Sequence, residues 1–425
     1  MASEIAAVRL LPQRQVLAYG ALGLPLAMAA LPVYVHVPRL YAEISGLSLS
    51  LLGVLLLLSR LADAFIDPLL GAWSDRTAKR QRLIVLALPL LALGMLALLH
   101  PPQAGAAIWL LGSMLLTYFA FSLSSVAYQA WGAEIGRDAG ERTRLTASRE
   151  GFGLLGVVLA AILPGLLSDD AAQGLSRLSW LFVLLLVLLS LLTLRSAPLA
   201  GQHVPAAGKL LDGLWQVLAD RRFRRLLTVF IVNGIAAALP ATLVLFFVDD
   251  VLRAEAWGGA FLALYFVSGI GFLPVWVMLS RRYGRVPAWV ASMIVAVVAF
   301  SWAWTLGAGD VAAFAVICLL SGAALGADLT LPAALLADIA ESGNGRSGKS
   351  PQAGAYFGWW NLVAKLNLAL AAGLALPLLD RLGYQPGVAE ATFGLSAVYC
   401  LLPLFFKTIA AVLAWRWRAT LESSS

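Results

Sequence analysis

Arg60, Asp63 and Asp67 stand within one short stretch of a segment, Leu47 to Trp73, that is otherwise apolar. A segment of that length can cross a bilayer. A charge at membrane depth costs at least about 2.5 kcal/mol, so it is kept where it has a partner or a task. Asp63 and Asp67 are four apart and share one helical face, and Arg60, three before Asp63, lies beside them. Two carboxylates and a base on one face of a membrane helix are the chemistry of a proton or ion site; a structural ion pair with Arg60 is the plainer alternative. Lys365, in mid-span with Asn361 one turn earlier, and Asp328, in Gly326-Ala-Asp328-Leu, are further charges in apolar surroundings. Asp328 reads equally as a second protonation site or as a buried hydrogen-bonding group.

The elements that must position these residues follow from composition. Hydrophobic residues make up 61% of the 425 and charged residues 12%, about half the charge of a soluble domain, which makes the chain an integral membrane protein. No alternation of polar and apolar residues suggests a membrane barrel. Twelve apolar spans lie near 16–38, 47–73, 83–100, 106–132, 146–168, 175–195, 224–248, 257–280, 286–307, 311–338, 352–379 and 392–415. Pro25, Pro32, Pro240, Pro274, Pro332 and Pro377 are expected to kink their helices. The expected fold is an all-α membrane protein of twelve transmembrane helices in two pseudo-symmetric six-helix bundles. Residues 1–195 form the first bundle and 224–425 the second with a short tail. Between them, 196–223 is a linker whose stretch from Lys209 to Arg222 reads as an amphipathic helix on the membrane surface.

Charge sets the orientation. With the N-terminus inside, only Arg39, Arg177, Arg253 and Arg381 of the 30 Lys and Arg fall in outer loops, and Asp169, Asp170, Asp249, Asp250 and Asp310 join them there. The positive-inside rule then places both termini in the cytoplasm. Arg outnumbers Lys 25 to five, a composition that points to a GC-rich bacterium and so to its inner membrane. The first fifteen residues show no cleavage site, so the first span is expected to be a retained helix.

Several function classes fall away. The net charge of +7 comes from short loops between spans, which does not suit nucleic acid. Cys318 and Cys400 both lie in apolar spans, and His36, His100 and His203 are far apart, so neither a disulfide framework nor a metal site is expected. There is no phosphate-binding Gly-rich loop with Lys-Ser/Thr. An enzyme is therefore not expected, nor a cofactor beyond a coupling ion. Twelve spans with central charges describe a secondary transporter, whose partners are a small-molecule substrate and membrane lipid.

Asp63-Ala-Phe-Ile-Asp67-Pro68-Leu-Leu-Gly71-Ala-Trp-Ser-Asp75-Arg76-Thr77 resembles the second-helix signature of the glycoside–pentoside–hexuronide:cation symporters, the melibiose-permease-like branch of the major facilitator superfamily. Glu141-Arg142-Thr143-Arg144-Leu145 with Arg149, and Leu336-Ala337-Asp338 followed by Gly354-Ala-Tyr356-Phe357-Gly358 and Lys365, resemble two more of its segments, in order along nearly the whole chain. The resemblance implies that Asp63, Asp67 and Ser122 bind a coupling proton or sodium ion. It also implies that Lys365 faces the two acids across the interface and that Arg149 lies near the substrate; Arg60 and Asp328, read from their own surroundings, are expected to join Lys365 in a charge network. Ser125, Tyr128, Tyr356 and Asn361 are the other expected substrate contacts. Asp75, Arg76, Arg142, Arg144 and Asp338 are expected to lock the inner gate, and a monomer is expected.

The sequence also departs from that family. Pro25 and Ser125 stand where the sugar-binding members hold sugar hydroxyls with aspartates, and Ile66 stands where a polar residue separates the two acids. The first change argues against a galactoside, the second against sodium. The expected function is cation-coupled symport of a small polar solute such as a sugar or glycoside. A proton-coupled exporter of amphipathic compounds and a non-transporting membrane sensor or assembly partner remain as alternatives.

Overall fold

Lipid offers backbone groups no hydrogen-bond partners, so apolar spans of this length must satisfy their own N–H and C=O groups as helices. The computed structural model describes residues 11–37, 40–41, 49–77, 79–102, 104–168, 170–198, 210–345, 352–384 and 392–422, and its regular structure there is all helical. Arg39, Asp169 and Lys209 lie outside the described residues, as do Leu47 at the start of the second expected span and most of the linker.

The first half contains α1 (Gln13–Ala21), α2 (Gly23–Leu31), α3 (Leu49–Ser74), α4 (Arg80–Leu99), α5 (Ala106–Ile135), α6 (Ala139–Leu167) and α7 (Ala171–Ser196). The linker supplies α8 (Leu210–Ala219), within the expected amphipathic segment. The second half contains α9 (Arg221–Phe246), α10 (Gly258–Tyr283), α11 (Arg285–Ala303), α12 (Val311–Gly345), α13 (Ala353–Arg381), α14 (Thr392–Ser396), α15 (Leu402–Arg416) and α16 (Arg418–Glu422). Among the described residues, ten helical segments are long and apolar enough to cross a membrane. The other two are the first and second expected spans. The first is interrupted at Leu22, three residues before Pro25, whose missing N–H leaves a carbonyl of the preceding turn unbonded. It then widens into a π-helical turn at Pro32–His36. The second is α3, with its three charges and Pro68.

Polar caps start several helices earlier than their apolar runs. Asp138 accepts from the Glu141 N–H at 2.8 Å and opens α6. Asp220 does the same for α9 through Arg222 N–H at 2.8 Å. Such caps satisfy the orphan donors of the first turn.

Buried apolar side chains form one cluster within the first half, around Tyr19, Tyr128, Trp131 and Phe182. Two more fill the second half, around Phe223 and Trp289 and around Phe247, Phe314 and Tyr399. Ala72, Val126, Ala130 and Ala133 of the first half join the Trp289 cluster, so the halves meet over small side chains. The principal seams are α3 on α13 and α6 on α10 and α12.

The α3–α13 seam decides where the charges go. A Cβ on Gly71 would lie 2.1 Å from the Gly354 carbonyl oxygen, and one on Gly358 would lie 2.6 Å from that of Asp67. The helices run antiparallel with their backbones in contact, as small residues permit in membranes. Gly71, Asp67 and Asp63 lie on one face of α3, and Gly354, Gly358 and Lys365 on the facing side of α13. Asp63 lies eleven residues before the end of α3, about 16 Å along the axis, which is near the middle of the hydrocarbon core.

Candidate functional site

Lys365 reaches across this seam and places its ammonium between the two carboxylates. Nζ lies 2.6 Å from Asp63 Oδ1 and 2.8 Å from Asp67 Oδ2. It donates to Ser122 Oγ at 3.0 Å and to the Asp63 carbonyl at 3.3 Å, while Ser122 Oγ–H donates to Asp63 Oδ1 at 2.9 Å. Asp63, Asp67 and Ser122 are buried; the Lys365 side chain keeps 19% of its surface. One ammonium thus serves two acids, and the cluster carries a net negative charge when all three are ionised. Asp67 Oδ1 is buried without a hydrogen-bond partner among the described residues, although the other oxygen of the same carboxylate is in the ion pair. That open lone pair, in a site of low dielectric, is suited to receive a proton. Arg60 is exposed, and the ion pairs of both acids run to Lys365 rather than along their own helix.

Asp328 belongs to a different place. It forms an ion pair with Lys407 of α15, and its Oδ1 accepts from Trp289 Nε1 at 2.8 Å. Asp328 and Lys407 have side chains 9% and 7% exposed, so this is a second buried charge pair, inside the second bundle. It lines a 170 Å³ cavity whose other walls are largely apolar and aromatic, among them Phe261, Phe300 and Phe314, with Tyr265 and Ser321. Asp328 is therefore not a member of the Asp63 network. Lys407 was missed from the sequence, although a lysine inside the last apolar span was the signal.

The other expected contacts divide as follows. Arg149 of α6 pairs with its neighbour Glu150, at 2.5 Å from Nη2. Tyr128 donates to the Tyr19 carbonyl and Tyr19 donates back to that of Tyr128 at 3.1 Å; both rings are fully buried, so their hydroxyls are spent on joining α1 to α5. Ser125 is half-buried and accepts from Gln129 Nε2 at 2.9 Å. Asn361 is half-buried one turn from Lys365. Tyr356 is a correction: its hydroxyl donates to Asp220 Oδ2 at 2.8 Å beside the linker, nine residues before Lys365, which removes it from the Lys365 face.

The end of the bundle where α3 finishes and α13 begins is closed by charges from both halves. Asp75 accepts from Arg80 at 2.8 Å and from the backbone N–H groups of Gly354 and Ala355 at 2.6 and 2.8 Å. It thereby satisfies the first turn of α13, where the helix dipole also favours a carboxylate. Burial pushes the Asp75 carboxyl upward, and the Arg80 guanidinium and the two N–H groups oppose that shift. Arg80 also donates to Glu134 at 2.7 Å. Arg142 of α6 donates to Asp338 of α12 at 2.8 Å, and Arg285 of α11 holds the other oxygen of Asp338. Asp75, Arg142 and Asp338 thus bridge the halves, and Arg76 stands half-buried at the same end. Arg144 does not bridge them: it donates to the Leu11 carbonyl at 3.1 Å and to Gln13 at 2.7 Å, within the first half. Arg80, Glu134 and Arg285 were not singled out from the sequence, because loop-end charges acquire roles only when helices distant in sequence converge.

Known proteins give this geometry a context. A family model described as MFS/sugar transport protein matches residues 16–420. A candidate 2,3-dihydroxypropane-1-sulfonate exporter of Escherichia coli K12 is 23% identical over 402 residues, covering 88% of this chain and 85% of that one. A Bacillus subtilis protein described as the uncharacterized symporter YjmB is 22% identical, covering 89% and 85%. Among solved structures, an outward-facing bacterial homologue of the iron transporter ferroportin superposes with a TM-score of 0.71 at 18% identity, covering 96% of this chain and all of that one. The Escherichia coli fucose:proton symporter FucP does so with 0.66 at 13% identity, covering 93% and 97%. At these identities the structural likeness establishes the fold, that of the major facilitator transporters.

Proposed function

The chain belongs to the MFS/sugar transport protein family, and from that premise we propose that it is a proton-coupled symporter of a small polar solute of the sugar or glycoside class, in the melibiose-permease-like branch. Lys365 Nζ, lying between Asp63 and Asp67 at 2.6 and 2.8 Å, is the observation that carries this reading. The ammonium already occupies the position between the carboxylates that a metal cation would take, and a sodium ion there would meet strong repulsion at so short a range. A proton needs only one lone pair, and Asp67 Oδ1 offers one. A coupling proton, with no cofactor, is the form of energy input this site accommodates.

The positive-inside rule puts the Asp75–Arg80 end at the cytoplasm of a bacterial inner membrane, with both termini there, so this conformation is closed on the inside. A proton entering from outside neutralises one carboxylate and halves the attraction that holds Lys365 on α3. The seam between α3 and α13 is then free to part as the loaded carrier rocks inward around the site. Ser122 holds Asp63 in register while the charge changes. Arg149, Ser125 and Asn361 face the path of the solute, and the protein works as a monomer. Asp63→Asn is expected to abolish gradient-driven accumulation in proteoliposomes while sparing downhill exchange. Full accumulation by that variant would overturn the mechanism.

Export of amphipathic compounds is the second reading. The apolar lining of the 170 Å³ cavity favours it, and one relative is described as a candidate exporter. A strain overexpressing the protein that resists several unrelated amphipathic toxins, and accumulates no sugar, would select it over symport.

A further inference from the structure

We propose that the groove between α1, α6 and α10 at the basic end of the bundle binds one acidic phospholipid, with its phosphate on Arg144, Arg281 and Arg282 and an acyl chain along the apolar wall. The groove has a volume of 710 Å³, within the range of built ligand sites. Its wall comes from both halves of the molecule: Leu17, Phe152 and Leu155 on one side, Leu273 and Met278 on the other. Leu17, Leu155 and Met278 are exposed, Met278 to 60%, which is a surface for hydrocarbon rather than water.

Charge selects the occupant. Three guanidinium groups line the groove and no carboxylate does. Arg144 is fixed by the Leu11 carbonyl and Gln13, which leave it guanidinium donors to spare. Arg281 and Arg282 are exposed in the last turn of α10, with Arg282 lying over the Tyr283 ring at 5.3 Å. Arginines recognise phosphate oxygens in pairs of parallel hydrogen bonds, and basic pockets between membrane helices suit anionic headgroups. A zwitterionic lipid would bring its own cation into a site that already holds three. Because Arg144 belongs to one half and Arg281 and Arg282 to the other, a single phosphate between them ties the halves together at the end that is closed here. This groove shares no lining residue with the Asp63 site, so lipid binding there does not depend on the transported solute.

The test is native mass spectrometry of the full chain titrated with phosphatidylglycerol or phosphatidylcholine. One phosphatidylglycerol should be retained in preference to phosphatidylcholine. Arg281→Gln with Arg282→Gln should weaken phosphatidylglycerol roughly 30-fold, the value of two surface charges, and leave phosphatidylcholine unchanged. Arg281→Lys with Arg282→Lys should keep most of the preference. Met278→Trp, which fills the groove and spares the arginines, should weaken phosphatidylglycerol as well. Equal retention of the two lipids by the natural protein would overturn the proposal. So would unchanged phosphatidylglycerol binding in the Gln or Trp variants, or displacement by excess inorganic phosphate, which would mark a free-anion site.

Discussion

At the scale of single residues, Lys365 is the group on which the site depends. Removing it leaves two buried carboxylates facing each other, and breaking a buried pair in this way costs about 3–5 kcal/mol. Lys365→Met is therefore expected to lower the melting temperature of the purified protein clearly, and Asp63→Asn with Asp67→Asn in the same chain should restore most of it. A thermal scan of the three proteins checks this; an unaltered Lys365→Met would mean that the acids do not need their counter-ion. These residues were legible in the sequence because ionisable groups in apolar spans stand out against lipid. Lys407 gives the same signal, yet its meaning waits for the packing of α15 against α11, which itself lies on α12 and so brings Lys407 to Asp328. Tyr356 shows the reverse limit: its place on α13 is legible, but the direction of its hydroxyl is set by Asp220 of the linker.

At the scale of elements, the α3–α13 seam is a matter of glycines. Gly71, Gly354 and Gly358 hold the two backbones in contact, and added side chains have no room. Gly358→Leu should force the seam apart at its basic end and favour the opposite conformation. Spin labels on α5 and α12 at that end are expected to move apart, whereas an unchanged distance distribution would place the closure elsewhere. The apolar spans correspond to the helices because length and hydropathy decide helix formation in a bilayer. Their starts were not legible, since caps such as Asp138 and Asp220 sit upstream of the apolar runs. The break at Leu22 stands where a kink from Pro25 is expected, and it splits one expected span into two helices.

At the scale of the whole molecule, the fold was readable and the state was not. A transporter's sequence must support both conformations, so it does not say which end is closed. Here the closure is made by Asp75 on the first turn of α13 and by Arg142 on Asp338, whose other oxygen Arg285 holds. Arg142→Ala removes one cross-half link while Arg285 keeps Asp338 paired, so the variant should fold but populate the inward-open form more. Faster labelling of a cysteine introduced on the α12 face at that end would report it. Labelling at the rate of the parent protein would show that Arg142 does not contribute to the gate.

In the proposed mechanism a proton, and not sodium, neutralises the Asp63/Asp67 pair and releases Lys365. It is tested most directly by recording pH outside lightly buffered proteoliposomes as glycosides, pentoses and hexuronates are added in turn, with and without sodium. Alkalinisation on adding one solute, independent of sodium and lost in Asp63→Asn, is expected. Solute uptake that requires sodium and leaves the pH unchanged would contradict it.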